Sequence, residues 1–254
     1  MLPAFTDGTG GKIMRKIWDR SEVWFAVLFI IIYVVGNSLF DQASLRIGIE
    51  MILTLPFDIL LIVVMLGFIR RNKLTEYYGI CAPKASMREM LYYVPLLLIS
   101  TVNIWFGIVF NKPFTEGLVF FFAMIATGIV EEIIFRGFLF RGMAKDNLRS
   151  AVILTSILFG IGHIVNLFNG KDVSLLENIC QIFYAVSIGF LLVSVLLKGK
   201  SLIPCMVTHS TFNALSVFAN EPMHVKYQIP IAVSLCILSL AAGVYYLKSQ
   251  TPEN

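Results

Sequence analysis

The amino-acid sequence predicts an all-α polytopic membrane protein, a bundle of about eight transmembrane helices. Apolar side chains make up 57% of the 254 residues, charged side chains only 14%, and the mean hydropathy is +0.81. Soluble domains carry about 25% charged residues, so the composition excludes that class. A hydrocarbon core about 30 Å thick needs about 20 mostly apolar residues per helix. Eight runs of roughly this length occur, at 23–40, 47–69, 91–109, 116–138, 148–166, 175–197, 202–218 and 225–247.

The first apolar run follows a basic segment that contains Lys12, Arg15, Lys16 and Arg20. A basic segment before an apolar run is typical of a signal peptide. This run is longer than the apolar part of a signal peptide, and no small-residue cleavage site follows it. We therefore expect a retained membrane anchor.

The distribution of Lys and Arg predicts the orientation of the chain, because cytoplasmic loops of membrane proteins are enriched in both. With a cytoplasmic N-terminus, 16 of the 20 basic residues lie inside, and the C-terminus is cytoplasmic too. The inside set is Lys12, Arg15, Lys16, Arg20, Arg70, Arg71, Lys73, Lys84, Arg88, Arg136, Arg141, Lys145, Arg149, Lys198, Lys200 and Lys248; the outside set is Arg46, Lys112, Lys171 and Lys226. The net charge of +4 therefore reflects membrane topology, and nothing indicates nucleic-acid binding. We expect a multi-pass protein of a bacterial cytoplasmic membrane.

The fourth predicted helix contains Glu131, Glu132 and Arg136 in the sequence GIVEEIIFRG. Each charge near mid-membrane costs about 3 kcal/mol, while each large aliphatic residue returns only about 0.5 kcal/mol, so these side chains must face a wet, protein-lined cavity. Glu132 and Arg136 are four residues apart on one helix face and can neutralise each other. Glu131 points about 100° away and is the candidate general base. The alternative is an ion pair that only joins two helices.

Two further predicted helices each carry a histidine with a second candidate residue at helical spacing. Phe159 and His163 are four apart in FGIGH, and His209 and Asn213 are four apart in HSTFN. Either pair alone could serve helix packing. Together with Glu131 they predict one catalytic site. Counted along the helices, Glu131 and His209 lie about 10 Å from the inner surface but His163 lies about 22 Å from it, which requires a tilted or displaced fifth helix.

The segments EEIIFRG at 131–137, FGIGH at 159–163 and HSTFN at 209–213 resemble the three motifs of the CPBP family. These are the CAAX protease and bacteriocin-processing intramembrane endopeptidases, also called the Abi family. The resemblance implies a cavity open to the cytoplasmic side and cleavage near the C-terminus of CAAX-type proteins, or within peptide or bacteriocin-like precursors. The expected partners are such a peptide or prenylated protein and the lipid bilayer.

The resemblance also implies roles for individual residues. Glu131 would activate water with the assistance of His163, and His209 and Asn213 would bind the oxyanion. The other motif residues, Glu132, Arg136 and Phe159, would organise the cavity or hold the substrate. We expect one membrane domain over 1–254, with N-terminal helices in 1–114, the catalytic core in 115–218, and a last helix and tail in 219–254.

Three alternatives stay open from the residues alone. Glu131, His163 and His209 could hold Zn²⁺ as three ligands with a bound water, or the chemistry could need no cofactor. Cys205 lies four residues before His209 and could act as a nucleophile, although neighbours on one rigid helix are poorly placed to share a substrate carbonyl. The chain could also be a transporter or binding scaffold, for which Asp58 in the second predicted helix is the one supporting feature.

Overall fold

A computed structural model describes residues 9–84, 93–168 and 174–249, and every regular element within these ranges is a helix. The predicted all-α class is therefore confirmed. Within the same ranges, short 3₁₀ segments (Val102–Ile104, His163–Leu167, Ser216–Phe218) and a π-helical segment (Ile133–Leu139) accompany the α-helices. The α-helices of the described ranges are α1 Thr9–Arg20, α2 Glu22–Ile47, α3 Thr54–Arg71, α4 Val94–Ser100, α5 Phe114–Glu132, α6 Phe140–Ala144, α7 Leu148–Gly162, α8 Leu175–Gly199, α9 Ile203–Leu215, α10 Glu221–Lys226 and α11 Gln228–Lys248.

In the described ranges, five helical stretches are long and apolar enough to cross a membrane, which makes the chain a multi-pass membrane protein. They are Glu22–Ile47, Phe114–Ala144, Leu148–Leu167, Leu175–Gly199 and Gln228–Lys248. The predicted count of about eight is not confirmed. Helix α3 has 18 residues but contains Asp58, Arg70 and Arg71, and α4 and α9 have only 7 and 13 residues.

The second and third predicted helices have different bounds in the structure. Helix α3 begins at Thr54 instead of residue 47, because the chain turns at Gly48 (φ 87°) and Met51 (φ 60°). The predicted helix 91–109 is represented by the short α4 and one 3₁₀ turn, in which Asn103 donates a side-chain hydrogen bond to the Phe212 carbonyl of α9 (2.7 Å). Positions 91 and 92, and the basic residues Arg88 and Lys171, lie outside the described residues.

Side-chain caps start several of the helices that build the bundle. Ser21 accepts a hydrogen bond from the Trp24 amide at the start of α2 (3.2 Å), and Asn147 accepts one from the Ser150 amide at the start of α7 (2.9 Å). The basic segment before the first apolar run forms α1, which sequence reasoning did not predict as a helix. One of its apolar side chains, Trp18, packs towards the core.

The helices pack through two kinds of contact. An aromatic cluster joins α2 and α3 to the π-helical segment, with Phe25 lying 4.8 Å from Phe68 and 5.0 Å from Phe138 between ring centroids. Glycine instead lets α5 meet α9, because a Cβ at Gly128 would lie 2.8 Å from the backbone of Ser210. Small residues at such points are typical of helix packing in membranes.

The π-helical segment Ile133–Leu139 follows directly after the two glutamates of α5, and all seven of its residues are buried. A single π-helical turn within an α-helix often occurs at functional sites, because it changes the direction in which the following side chains point. Here the segment carries Arg136, whose side chain is 1% exposed. The helix continues afterwards as α6, so the change of register is local to the site.

Candidate active site

Glu132 is fully buried at the end of α5, and one of its carboxylate oxygens contacts two side chains. Its Oε1 accepts a hydrogen bond from Arg136 Nη1 at 2.9 Å and lies 2.8 Å from Nδ1 of His209. The Arg136 guanidinium also lies over the ring of Phe159, 3.9 Å from its centroid. The structure thus contains the ion pair that the spacing predicts, and it extends this pair to a histidine of another helix.

Glu131 points in a different direction and uses its two oxygens differently. Oε1 accepts a hydrogen bond from the hydroxyl of Tyr33 on α2 at 2.5 Å. Oε2 lies 3.4 Å from Nε2 of His209 and, among the described residues, has no hydrogen-bond partner. The His209 ring therefore lies between the two carboxylates, with Nδ1 towards Glu132 and Nε2 towards Glu131.

His163 lies just after the C-terminal end of α7, in the following 3₁₀ turn. Phe159, one turn earlier, contacts both histidine rings edge to face, with centroid distances of 5.5 Å to His163 and 5.5 Å to His209. The amide of Asn178 on α8 donates a hydrogen bond to the His163 carbonyl at 2.8 Å. A Cβ at Gly160 would lie 2.8 Å from the α8 backbone, so this glycine permits the close approach of the two helices.

Four of the seven predicted site residues line one cavity of about 210 Å³, whereas Glu132, Arg136 and His209 do not line it. His209 instead lines a smaller neighbouring cavity together with Phe159, His163 and Asn213. Glu131, Phe159, His163 and Asn213 line the larger cavity, and Asn213 lies one helical turn after His209. The remaining lining residues come from several helices and turns: Tyr33, Val34, Asn37, Ser38, Asp41, Met51, Met124, Thr127, Phe135, Gly162, Val165, Asn166 and Gln181. The structure therefore brings His163 to the same cavity as Glu131, although its helix starts farther away along the chain.

The cavity extends along α2 from Tyr33 past Asn37 to Asp41 and reaches Met51 in the turn before α3. This turn lies at the opposite end of α2 from the basic helix α1. The Lys and Arg count assigns the α1 end to the cytoplasm and the turn to the other side. The predicted opening of the cavity to the cytoplasm is therefore not confirmed.

The residues proposed as zinc ligands do not fit a metal in the observed arrangement. Within the described ranges, no group of three His, Cys, Asp or Glu side chains is arranged to hold an ion. The candidate ligands were Glu131, His163 and His209. Both ring nitrogens of His209 already face carboxylates, because Nδ1 lies 2.8 Å from Glu132 and Nε2 lies 3.4 Å from Glu131. No step of the chemistry below therefore passes through a metal.

Two alternatives from the sequence lose their support in the geometry. Cys205 is fully buried, and its thiol donates to the Leu192 carbonyl of α8 (3.2 Å) instead of lining the cavity. Asp58, the feature that favoured a transporter or scaffold, is fully buried and accepts a hydrogen bond from the Thr127 hydroxyl at 2.8 Å. This hydrogen bond joins α3 to α5 at Thr127, which lies one helical turn before Glu131.

Sequence reasoning missed Tyr33. The only available signal was weak: Tyr33, Asn37 and Asp41 are spaced by four within an otherwise apolar run, which places three polar side chains on one face of α2. All three line the cavity. The partner of Tyr33 lies 98 residues away along the chain, which no local spacing reveals.

Residues 113–215 match the family model of the Rce1-like type II CAAX prenyl endopeptidases. This segment contains all three motifs of the sequence analysis, and the match confirms the resemblance to the CPBP family. The proteins that this model describes are prenyl endopeptidases. No curated protein and no solved structure matches the chain at a significant level.

Proposed function

We propose that this chain, whose residues 113–215 carry the match to the Rce1-like endopeptidases, is an intramembrane endopeptidase that hydrolyses peptide bonds with a glutamate-activated water. One observation supports this most strongly. The Glu131 side chain, 13% exposed, lines the cavity, with Oε1 bound by Tyr33 and the buried Oε2 directed at His209. A carboxylate in this setting can take a proton from water within hydrogen-bond reach.

The proposed reaction begins when water enters beside Glu131 Oε2, which is otherwise buried. Oε2 then accepts a proton from this water, and the water oxygen forms a bond to the scissile carbonyl carbon. The carbonyl oxygen becomes an oxyanion, which His209 Nε2–H and the Asn213 amide bind. Collapse of this intermediate breaks the C–N bond, and Glu131 passes its proton to the departing nitrogen. The products are a carboxylic acid and an amine. His163, on the cavity wall beside Phe159, assists in holding the water.

Glu132 has the role of orienting His209 in this proposal. Its Oε1 accepts from Nδ1 at 2.8 Å, so the ring is fixed and Nε2 is directed towards the reaction centre. In this proposal His209 donates to Glu132 through Nδ1–H and to the oxyanion through Nε2–H. Arg136 neutralises Glu132, since an unpaired charge that is fully buried would be very unfavourable. Preorganised donors of this kind are worth more in a water-poor site than in bulk solvent.

The proposed substrates are CAAX-type proteins cleaved near the C-terminus, or peptide and bacteriocin-like precursors, presented by the bilayer. The matched family supports the first class, and the cavity beside Glu131 is lined by amide, hydroxyl and thioether side chains that can surround an extended peptide. We also propose that the chain forms a bundle of about eight membrane helices, of which α3, α4 and α9 are the shorter ones.

The side of the membrane from which substrate enters is a separate part of the proposal. The family resemblance implies cytoplasmic entry, whereas the charge count combined with the extent of the cavity favours entry from the 48–53 turn. Asn166→Cys at the cavity and Lys145→Cys after α6, each in a chain whose four native cysteines are replaced, distinguish the two. A membrane-impermeant thiol reagent should label the two positions from opposite sides. Labelling of both from the cytoplasm would favour cytoplasmic entry.

The central test is peptide cleavage by Glu131→Gln in proteoliposomes, with a fluorogenic farnesylated CAAX peptide and an unmodified peptide as substrates. We expect kcat to fall by about 10²- to 10⁴-fold, the usual contribution of a general base. Cys205→Ala is the control and should cleave like the wild type. Cleavage that survives in Glu131→Gln would overturn the mechanism, total loss in Cys205→Ala would favour a thiol nucleophile, and no cleavage by any form would favour the transporter or scaffold.

A further inference from the structure

Tyr33, which lies outside the matched segment 113–215, donates a hydrogen bond to the proposed general base. Its side chain is 8% exposed, and its hydroxyl donates to Glu131 Oε1 at 2.5 Å. The ring lies on α2, 80 residues before the family match begins. Neither the motifs nor the family match assigns a function to this position.

The bond from Tyr33 makes the two oxygens of Glu131 unequal. The terminal torsion of a glutamate side chain is broad and close to two-fold, so an unbound carboxylate exchanges its oxygens readily. With Oε1 held by Tyr33, Oε2 is the oxygen that lies near His209 Nε2, at 3.4 Å. A general base must be within hydrogen-bond reach of its proton in the correct direction. The tyrosine hydroxyl thus selects one of the two carboxylate orientations.

Helix α2 can hold Tyr33 in place because it is packed firmly against the helix that carries Glu131. Phe25 and Phe29 of α2 contact Phe138 of the π-helical segment, with centroid distances of 5.0 Å and 5.4 Å. Phe29 lies one helical turn before Tyr33, and Phe138 lies seven residues after Glu131. The aromatic contacts and the hydrogen bond therefore join the same two helices at successive levels.

We propose that Tyr33 is a positioning residue for catalysis, which holds Oε1 of Glu131 so that Oε2 takes the proton of the attacking water. This inference rests on the proposed function, because it assigns the proton transfer to Glu131. It places part of the active site in the N-terminal helices. Substitution of Tyr33 should therefore act on the chemical step and leave substrate binding largely intact.

A purely structural role for Tyr33 predicts a different result, and Tyr78 is a matched control for it. Tyr78 is fully buried, and its hydroxyl accepts a hydrogen bond from Trp18 Nε1 at 2.7 Å; neither residue lines the cavity. Tyr33→Phe and Tyr78→Phe each remove one buried hydroxyl and its single cross-helix bond. Loss of stability is common to both variants, whereas only the first changes the environment of Glu131.

The experiment compares wild type, Tyr33→Phe, Tyr78→Phe and Glu131→Gln in proteoliposomes, with kcat, KM and the pH dependence of kcat measured for each, and the melting temperature as a check of folding. We expect Tyr33→Phe to lower kcat about 10- to 100-fold, the range for losing a hydrogen bond to a charged group, with KM unchanged. The acidic limb of its pH profile should move, while Tyr78→Phe keeps the wild-type kcat and profile.

Each outcome separates this inference from the proposed function. If Glu131→Gln abolishes cleavage but Tyr33→Phe has the kcat and pH profile of Tyr78→Phe, the positioning role is wrong and the general base stands. If Tyr33→Phe changes only KM, the hydroxyl contacts substrate and the inference is overturned. If Glu131→Gln cleaves like the wild type, the proposed mechanism fails whatever the tyrosine variants do.

Discussion

The N-terminal helices α1–α3 and the segment 113–215 contribute to the same cavity in different ways. The later segment supplies the carboxylates and imidazoles, Glu131, Glu132, His163 and His209, within three short motifs. The N-terminal helices supply one hydroxyl to this group, from Tyr33. In the proposed mechanism, the reacting groups and the hydroxyl that orients one of them therefore come from parts of the chain that are far apart in sequence.

The two regions also differ in how they pack. The N-terminal helices use bulky aromatic side chains, such as Phe25 and Phe68, against the π-helical segment. The later segment uses glycines, so that α5 meets α9 at Gly128 and α7 meets α8 at Gly160 with almost no space between backbones. Close backbone contact leaves no room for adjustment. Five predictions probe the two regions and the site between them, from the largest expected effect to the smallest.

The largest effect on stability is expected for Arg136→Met. Arg136 is 1% exposed and paired with the fully buried Glu132, so its loss leaves the buried carboxylate with His209 as its remaining partner and should lower the free energy of unfolding by about 3–5 kcal/mol. The control is Arg15→Met in α1, where the pair with Asp19 has side chains 40% and 51% exposed. That pair should contribute about 0.2–1 kcal/mol. Unfolding in detergent measures both, and similar losses would contradict the distinction between the regions.

The next effect concerns catalysis by His209→Ala. Removing a donor to the oxyanion should lower kcat by about 10²- to 10³-fold. The control is His224→Ala, because this histidine lies outside the matched segment and contacts the Asn103 carbonyl at 3.1 Å. Steady-state cleavage rates of the two variants give the comparison. A reduction of equal size in both would show that the rates report folding instead of chemistry.

The link between the two regions is tested by Thr127→Val. The variant removes the hydrogen bond to the buried Asp58 of α3 and should lower the free energy of unfolding by about 1.5–3 kcal/mol, as for hydrogen bonds to charged groups. Thr155→Val is the control. Its hydroxyl donates only to the Ala151 carbonyl of its own helix, so it should lose less. Equal losses in chemical unfolding would mean that the Thr127 bond adds little to the joining of α3 and α5.

Packing in the later segment is tested by Gly128→Ala. The added methyl group would lie 2.8 Å from Ser210 backbone atoms, so α5 and α9 must separate, at about 1–3 kcal/mol of stability. Gly117→Ala lies on the same helix, but its nearest neighbour is 3.9 Å away. It should be neutral, or stabilising by up to about 1 kcal/mol through helix propensity. Melting temperatures that do not separate the pair would argue against close packing.

No effect is expected from chelators. Because the described carboxylates and histidines form no metal-holding group, EDTA or 1,10-phenanthroline should leave the cleavage rate unchanged. The rate is measured after dialysis against chelator, with and without added Zn²⁺. Loss of activity that Zn²⁺ restores would favour the zinc alternative and would require Glu131, His163 and His209 to rearrange.

Local features of the site could be predicted because helical geometry relates residues that are close in sequence. The pair Glu132–Arg136 is four residues apart, and the ion pair between the two side chains is present. The divergence of Glu131 from Glu132 follows from the same geometry, and the structure gives the two carboxylates different partners. Segment ends were predicted less well. The chain turns with positive φ at Gly48 and Met51, so α3 begins later than predicted. The third predicted helix is shorter in the structure, where Asn103 donates a hydrogen bond to the Phe212 carbonyl.

The sequence by itself determined the class of this protein and the identity of its motif residues, because apolar run length and helical spacing are local properties of the chain. Only the tertiary structure decided which side chains meet. The bond between Tyr33 and Glu131, the two-sided position of His209 and the contact between Thr127 and Asp58 all join separate helices. Such contacts depend on how whole helices pack, and a run of apolar residues does not specify its neighbour.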